Sequence, residues 1–200
     1  MNYIDEEIIE LKKIKRNQKY RDIRGEGIFI HDHLTRFSPS VIFEQLELYL
    51  PEDFIKMPDE FALLKYPSVN RPQEILTSLD GRTNFAFNLF TETSIPAEDV
   101  DKIAKKMKTM LQHSNPSFTF EWEESGALSD SRLVEMFDYR SYGVDEKLYN
   151  MMCFTSFPCG ILHGIFNCLE SEAEQWQDAA WQVFLSLREI EKAENQKTYK

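Results

Sequence analysis

Two hundred residues with 42% hydrophobic and 13% aromatic content supply enough apolar surface for one well-cored domain. A net charge of −11 argues against nucleic acid and anionic membrane as partners, because both select a cationic face. No run approaches the ~20 apolar residues of a membrane span, and the acidic start lacks the basic head and apolar run of a signal peptide.

The cysteines are Cys153, Cys159 and Cys168, an odd number without metal-type spacing. Free thiols in a reducing compartment fit this pattern, so the chain reads as cytoplasmic. Charge is uneven along it. Residues 1–24 hold seven Lys/Arg against five Asp/Glu, a net of +2, which leaves −13 of the total −11 to the rest. An acidic body of this kind suits another protein with a basic surface, or simply keeps the chain soluble.

Residues 3–20 read as a helix. Ile4, Ile8 and Leu11 fall on one stripe, Asp5 and Glu6 occupy the first turn, and lysines load the end. So short a stripe needs a surface to dock on, either the body of the chain or a second copy. Gly25 and Gly27 then mark a linker, which divides the chain into a helical extension, 1–24, and a single domain, 25–195.

Ile28–His33 and Val41–Leu50 read as strands, and Pro51 ends the second. Met57-Pro58 opens a short helical turn. Lys65–Pro72 is irregular, since each proline pushes its predecessor away from helix. A hairpin follows. Glu74–Leu79 and Arg82–Phe90 flank Asp80-Gly81, the residue pair that favours a two-residue type I′ turn. That turn sets Leu76 opposite Phe85 and Glu74 opposite Phe87. Leu76, Phe85, Phe87 and Leu89 then share one face, with Ile75, Leu79, Ala86 and Phe90 on the other, so both faces call for cover.

A helix beginning near Pro96 carries Val100, Ile103, Ala104, Met107 and Leu111 at helical spacing, and Asn115-Pro116 ends it. Four strands come next: Ser117–Glu124, Leu133–Tyr142, Lys147–Phe157 and Ile161–Leu169. Phe157–Gly160 has proline and glycine where a type I turn prefers them. Ser171 with Glu174 has capping-box spacing, ahead of a helix with Trp176, Ala180, Phe184 and Leu187 on its buried stripe. Residues 191–200 are polar and read as a fraying tail.

Several residues invite chemistry. His31 and His33 sit at i and i+2, as some metal sites do, but no third or fourth ligand is apparent. Cys159 and His163 lie too far apart along a strand to act as a thiol–imidazole pair. Glu121, Glu123, Glu124, Glu170, Glu172 and Glu174 could supply paired carboxylates only if two faced each other across a cleft. Trp176 and Trp181 read as core. Met151 and Met152 point to opposite faces of one strand. Tyr66 and Arg71, residue types common at interface hot spots, sit in a proline-stiffened segment and are the candidate protein-binding residues.

The order of elements resembles the Mog1/PsbP-like superfamily. The cues are a strand ending in Leu50-Pro51-Glu52-Asp53-Phe54, then Lys65-Tyr66-Pro67 and Arg71-Pro72, the hairpin with Asn84-Phe85, a meander with Tyr149-Asn150 and Phe166-Asn167-Cys168, and a closing Trp-bearing helix. The resemblance spans roughly residues 40–190. It implies an α+β fold, an antiparallel β-sheet flanked by helices on both faces (an αβα sandwich). It also implies the group's habit of binding without catalysis, as in a Ran-GTPase binder, photosystem subunits, bacterial lipoproteins and Eag-type chaperones of secretion effectors. A non-enzymatic protein-binding domain without a cofactor is therefore expected. An adaptor or chaperone for a secreted effector is the alternative, and a metal-dependent hydrolase using His31 and His33 is a second.

Overall fold

The hairpin around Asp80-Gly81 lies inside a seven-stranded antiparallel sheet that carries the core. The computed structural model describes residues 3–91, 99–143 and 146–190. In chain order the elements begin with α1 (Tyr3–Lys19), β1 (Arg21–Asp22), β2 (Gly27–Ile30), β3 (His33–Thr35), β4 (Phe37–Ile42), β5 (Leu46–Pro51), β6 (Ile55–Lys56), α2 (Asp59–Lys65), β7 (Glu74–Thr77) and β8 (Asn84–Phe90). They continue with α3 (Val100–Ser114), β9 (Glu123–Ala127), β10 (Leu133–Tyr142), β11 (Lys147–Phe157), β12 (Gly160–Leu169), α4 (Ala173–Leu185) and β13 (Arg188–Glu189). The large sheet runs β6-β7-β8-β12-β11-β10-β9, and two three-stranded sheets, β1-β2-β3 and β13-β5-β4, accompany it.

The central hairpin keeps the expected register, with Glu74 opposite Phe87 and Leu76 opposite Phe85. Its turn is different. Of Asp80 and Gly81 only Gly81 has positive φ, at 74°, so this is no type I′ turn. Ser78 pairs instead with Thr83, and the Gly81 N–H donates to the Ser78 carbonyl at 2.9 Å. A loop over 79–82 adds one residue on each side of the same centre, which preserves the register. Side chains drive the change: the Asp80 carboxylate accepts the Ser78 hydroxyl at 2.6 Å and the Arg82 N–H at 3.1 Å. A Cβ on Gly81 would meet nothing within 4 Å, so Gly81→Val should cost only its left-handed backbone, about 1–2 kcal/mol. Chemical denaturation checks this, and an unchanged midpoint would mean that the turn is not left-handed at this residue.

Type I′ geometry appears where residue types conceal it. His31 and Asp32 (φ 49° and 60°) turn β2 into β3, and Phe43 and Glu44 (φ 52° and 57°) turn β4 into β5. The stretches Ile28–His33 and Val41–Leu50, each expected as one strand, are therefore bent into hairpins. Tertiary hydrogen bonds hold both bends: His31 N–H donates to Gln175 Oε1 at 2.5 Å, and Phe43 N–H to Glu74 Oε1 at 2.9 Å. The linker expected at Gly25 and Gly27 is structured as well. β1 pairs with β2, and a Cβ on Gly27 (φ 115°) would lie 2.2 Å from the Thr35 carbonyl oxygen. Ile23 is buried in the core.

β10 and β11 have the expected bounds, and β12 starts one residue earlier, at Gly160. The strand expected over Ser117–Glu124 does not form; Thr119 makes an isolated bridge to Arg140, and β9 runs through Ser125-Gly126 instead. Asp138 is the cause, because its carboxylate takes the Glu121 and Trp122 N–H groups away from the ladder. At α4 no capping box forms: a 3₁₀ turn, Glu170–Glu172, leads in, and no side chain caps the helix. The expected helix start near Pro96 and the tail 191–200 lie outside the described residues.

Strand alternation sorts the core. Phe85, Phe87, Tyr149, Met151 and Phe166 pack with Trp176 and Phe184 of α4 and with Ile42, Leu46, Leu48 and Leu50. The alternate residues Phe137, Tyr139, Met152 and Phe154 pack with Val100 and Ala104 of α3, and Ile75 and Ala86 with Ala62 of α2. Met151 and Met152 thus fall in separate clusters, as their spacing predicts. The architecture is mixed α+β on antiparallel sheets.

α1 does not dock its stripe on the body. Ile8, Leu11 and Ile14 are 44%, 62% and 47% exposed. Among the described residues its ties to the body lie in the last turn: Arg16 pairs with Asp32 at 2.7 Å and covers the Phe29 ring at 4.1 Å, while Lys19 reaches Glu26.

Candidate functional site

β6 is the edge strand of the large sheet, and α2 follows it after a two-residue step. α2 is seven residues long and apolar around much of its circumference, with Phe61, Ala62, Leu63 and Leu64 in a row. A helix has one face to bury, and here only Ala62 is buried. The remaining apolar side chains face water, and Phe61 and Leu64 among them line a groove shared with the hairpin loop.

The result is an open groove of about 470 Å³ whose apolar lining includes Ile55, Met57, Phe61, Leu64 and Leu79. Leu64 is 79% exposed and Leu79 77% exposed, so this surface has no cover within the described chain. Lys65 closes one end by donating from Nζ to the Gly81 carbonyl at 2.6 Å, which ties α2 to the loop. Partial burial lowers the Lys65 pKa, and the charge of Asp80 opposes that shift. Asp80 itself sits below the usual carboxylate range, chiefly through the Ser78 hydroxyl. Asp59 and Glu60 add negative charge at the first turn of α2. The sequence predicts a short helical turn at Met57-Pro58 but does not single out Phe61–Leu64; Leu79, beside the turn, was expected on a covered sheet face.

Tyr66 and Arg71 flank this groove in sequence. Tyr66 caps the C-terminal end of α2, is half-buried, and accepts a hydrogen bond from Asn167 Nδ2 at 3.0 Å. Burial raises its phenol pKa. Arg71 is exposed, and its backbone N–H donates to the Ser68 carbonyl at 3.2 Å.

The chemically suggestive residues are dispersed. His31 is a turn residue 3.8 Å from Glu172, and His33 is exposed on β3. Among the described residues no group of three or more His, Cys, Asp or Glu is placed to hold a metal ion. His163 is buried and stacked on its cross-strand neighbour Phe154, ring centroids 4.6 Å apart, while Cys159 occupies the turn before β12. Three of the glutamates face cations rather than one another across a cleft: Glu121 pairs with Arg140 at 3.0 Å, Glu123 with Lys108, and Glu170 lies near both Arg140 and Lys147 at 3.8 Å. Trp176 is core, and Trp181 packs edge-on against Trp122.

One buried polar centre went unread. Asp138 lies between Phe137 and Tyr139 on β10, and Arg140 Nη1 donates to its Oδ2 at 2.6 Å. The same guanidinium stands over the ring of Tyr149, 4.8 Å from its centroid, and burial pushes the Tyr149 phenol well up. The two charges pair with each other, while Arg140 Nε and the Tyr149 hydroxyl find no hydrogen-bond partner among the described residues.

The chain has a PsbP-like fold, an antiparallel meander with Trp-bearing α4 closing over one side. It is similar to the solution structure of cyanobacterial PsbP (CyanoP) from Synechocystis sp. PCC 6803, with a TM-score of 0.57 and 11% identity over 83% of this chain and 96% of that one. It is also similar to LpqN, involved in cell envelope biogenesis of Mycobacterium tuberculosis, with a TM-score of 0.54 and 13% identity over 82% and 95% of the two chains. No family model matches the sequence, and no curated protein does either.

Proposed function

We propose that this chain is a non-enzymatic protein-binding domain, with helices on both faces of its large sheet, that works through the groove between α2 and the hairpin loop. The observation behind this reading is the group of exposed apolar side chains Ile55, Phe61, Leu64 and Leu79 on a surface tied together by Lys65. Exposed apolar patches with a polar rim mark interaction sites. The binding habit of the group this fold resembles supports a module over an enzyme. The partner is another protein that offers apolar side chains flanked by positive charge, which suits Asp59, Glu60 and Asp80 and the acidic body. Tyr66 and Arg71 extend the contact beyond the end of α2. Nucleic acid and membrane are poor matches to a −11 chain, and the cytoplasm suits its three cysteines, an odd number without metal-type spacing. Residues 1–24 are an appendage to the single domain over 25–195, with Ile23 laid against the core.

A photo-crosslinking residue at Leu64 or Leu79, compared with one at exposed Glu124, tests this in the native cell. A discrete cross-linked protein from the first two positions, lost on Phe61→Asp, is expected. Identical products at all three positions, or none from the groove, would overturn the reading.

A further inference from the structure

We infer that α1 is a dimerisation helix that pairs antiparallel with α1 of a second copy across a twofold axis. Three observations converge on it. First, its apolar stripe faces water: Ile8, Leu11 and Ile14 are all exposed, and Ile4 continues the stripe in sequence. Helices in proteins draw most of their stability from packing an amphipathic face, and this 17-residue helix leaves its own uncovered. Second, among the described residues the helix is held at its C-terminal end, by Arg16 on Asp32 and Phe29 and by Lys19 on Glu26, so the exposed stripe is presented away from the body.

Third, charge selects the partner and its direction. The sequence puts Asp5, Glu6, Glu7 and Glu10 in the first half of α1 and Lys12, Lys13, Lys15, Arg16 and Lys19 in the second. A parallel copy would set acid against acid and base against base. An antiparallel copy sets each acidic half against a basic half, and exposed Lys12 and Lys15 face the partner once Arg16 and Lys19 are engaged at home. The same arrangement brings Ile4 opposite Ile14 and Ile8 opposite Leu11. Each apolar residue then meets another, and the interface is isologous and closed. The pairing leaves the groove at α2 open, so it is independent of the proposed partner site.

Few side chains are buried per copy, so the dimer is of the weak, concentration-dependent class, and salt loosens it. Sedimentation of the full chain over a range of concentrations should show a monomer–dimer equilibrium. Leu11→Glu, or reversal of Lys12 and Lys15 to Glu, should weaken it about tenfold or more, with an unchanged melting temperature. Orientation is read by cysteine cross-linking in a Cys159→Ser background, the other two thiols being buried. A mixture of Ile4→Cys and Ile14→Cys chains should form a disulfide-linked dimer, while Ile14→Cys alone should not. A chain that stays monomeric at all concentrations overturns the proposal, as does a dimer that survives Leu11→Glu. Self-linking of Ile14→Cys overturns the antiparallel direction. None of these results bears on the groove.

Discussion

Replacing Asp138 by alanine is expected to destabilise the domain by about 3–5 kcal/mol, the scale for breaking a buried, hydrogen-bonded ion pair on one side only. The Asp138 side chain is 1% exposed. Its Oδ1 accepts the Glu121 N–H at 3.1 Å and the Trp122 N–H at 2.9 Å, and its Oδ2 accepts from Arg140. Alanine strands two backbone donors and removes the inner partner of a guanidinium that is itself mostly buried. Glu121 and Glu170 still neighbour Arg140, so the cost falls short of a wholly unpaired charge. Asn at 138 retains an acceptor and should cost less. The double change Asp138→Leu with Arg140→Met should recover part of the loss, since it removes both charges together. Urea or guanidinium titration of the set checks the order. A loss under about 1 kcal/mol for alanine would mean that water replaces the carboxylate.

The same residue shows where reading the sequence stops. Strand Leu133–Tyr142 was legible because ten residues of β-prone, partly alternating pattern admit little else, and the long strands Lys147–Phe157 and Ile161–Leu169 followed by the same reasoning. The polarity of Asp138 gave no hint that it turns inward, because its backbone partners lie 16 and 17 residues earlier. Local chemistry likewise pointed to Asp80-Gly81 as the tight turn. The type I′ turns fell at His31-Asp32 and Phe43-Glu44, where Gln175 and Glu74, distant in sequence, supply the hydrogen bonds that hold them. The α3 stripe was legible from its period, and it packs as Val100, Ile103, Ala104, Met107 and Leu111 imply. Of the groove, the sequence singled out the neighbouring Tyr66–Pro72 segment. Phe61, Leu64 and Leu79 look like ordinary core residues until the fold shows that nothing covers them.

Acid should destabilise the protein through His163 by about 3 kcal/mol between pH 6.5 and pH 4. The ring is buried, stacked on Phe154 at an interplanar angle of 5°, and its Nε2 finds no hydrogen-bond partner among the described residues. Burial disfavours the charged form and pulls the pKa from the ordinary 6.5 down to about 4. The unfolded chain therefore binds this proton first as pH falls. Above pH 6.5 both states are neutral, and the stability of the buried neutral ring is fully present. Below 6.5 the unfolded state gains a proton that the folded state refuses, and stability drops until both are charged below about pH 4. Carboxylates contribute their own acid loss, so the informative quantity is the difference from His163→Phe, which offers a flat ring for the same stack and has no proton to bind. Denaturation free energies measured from pH 7.5 to pH 4 should converge or cross for the two proteins, with the wild type losing about 3 kcal/mol more over that interval. Parallel curves, or a His163 imidazole resonance that titrates near 6.5 in the folded protein, would show that water reaches the ring and that its burial carries no such penalty.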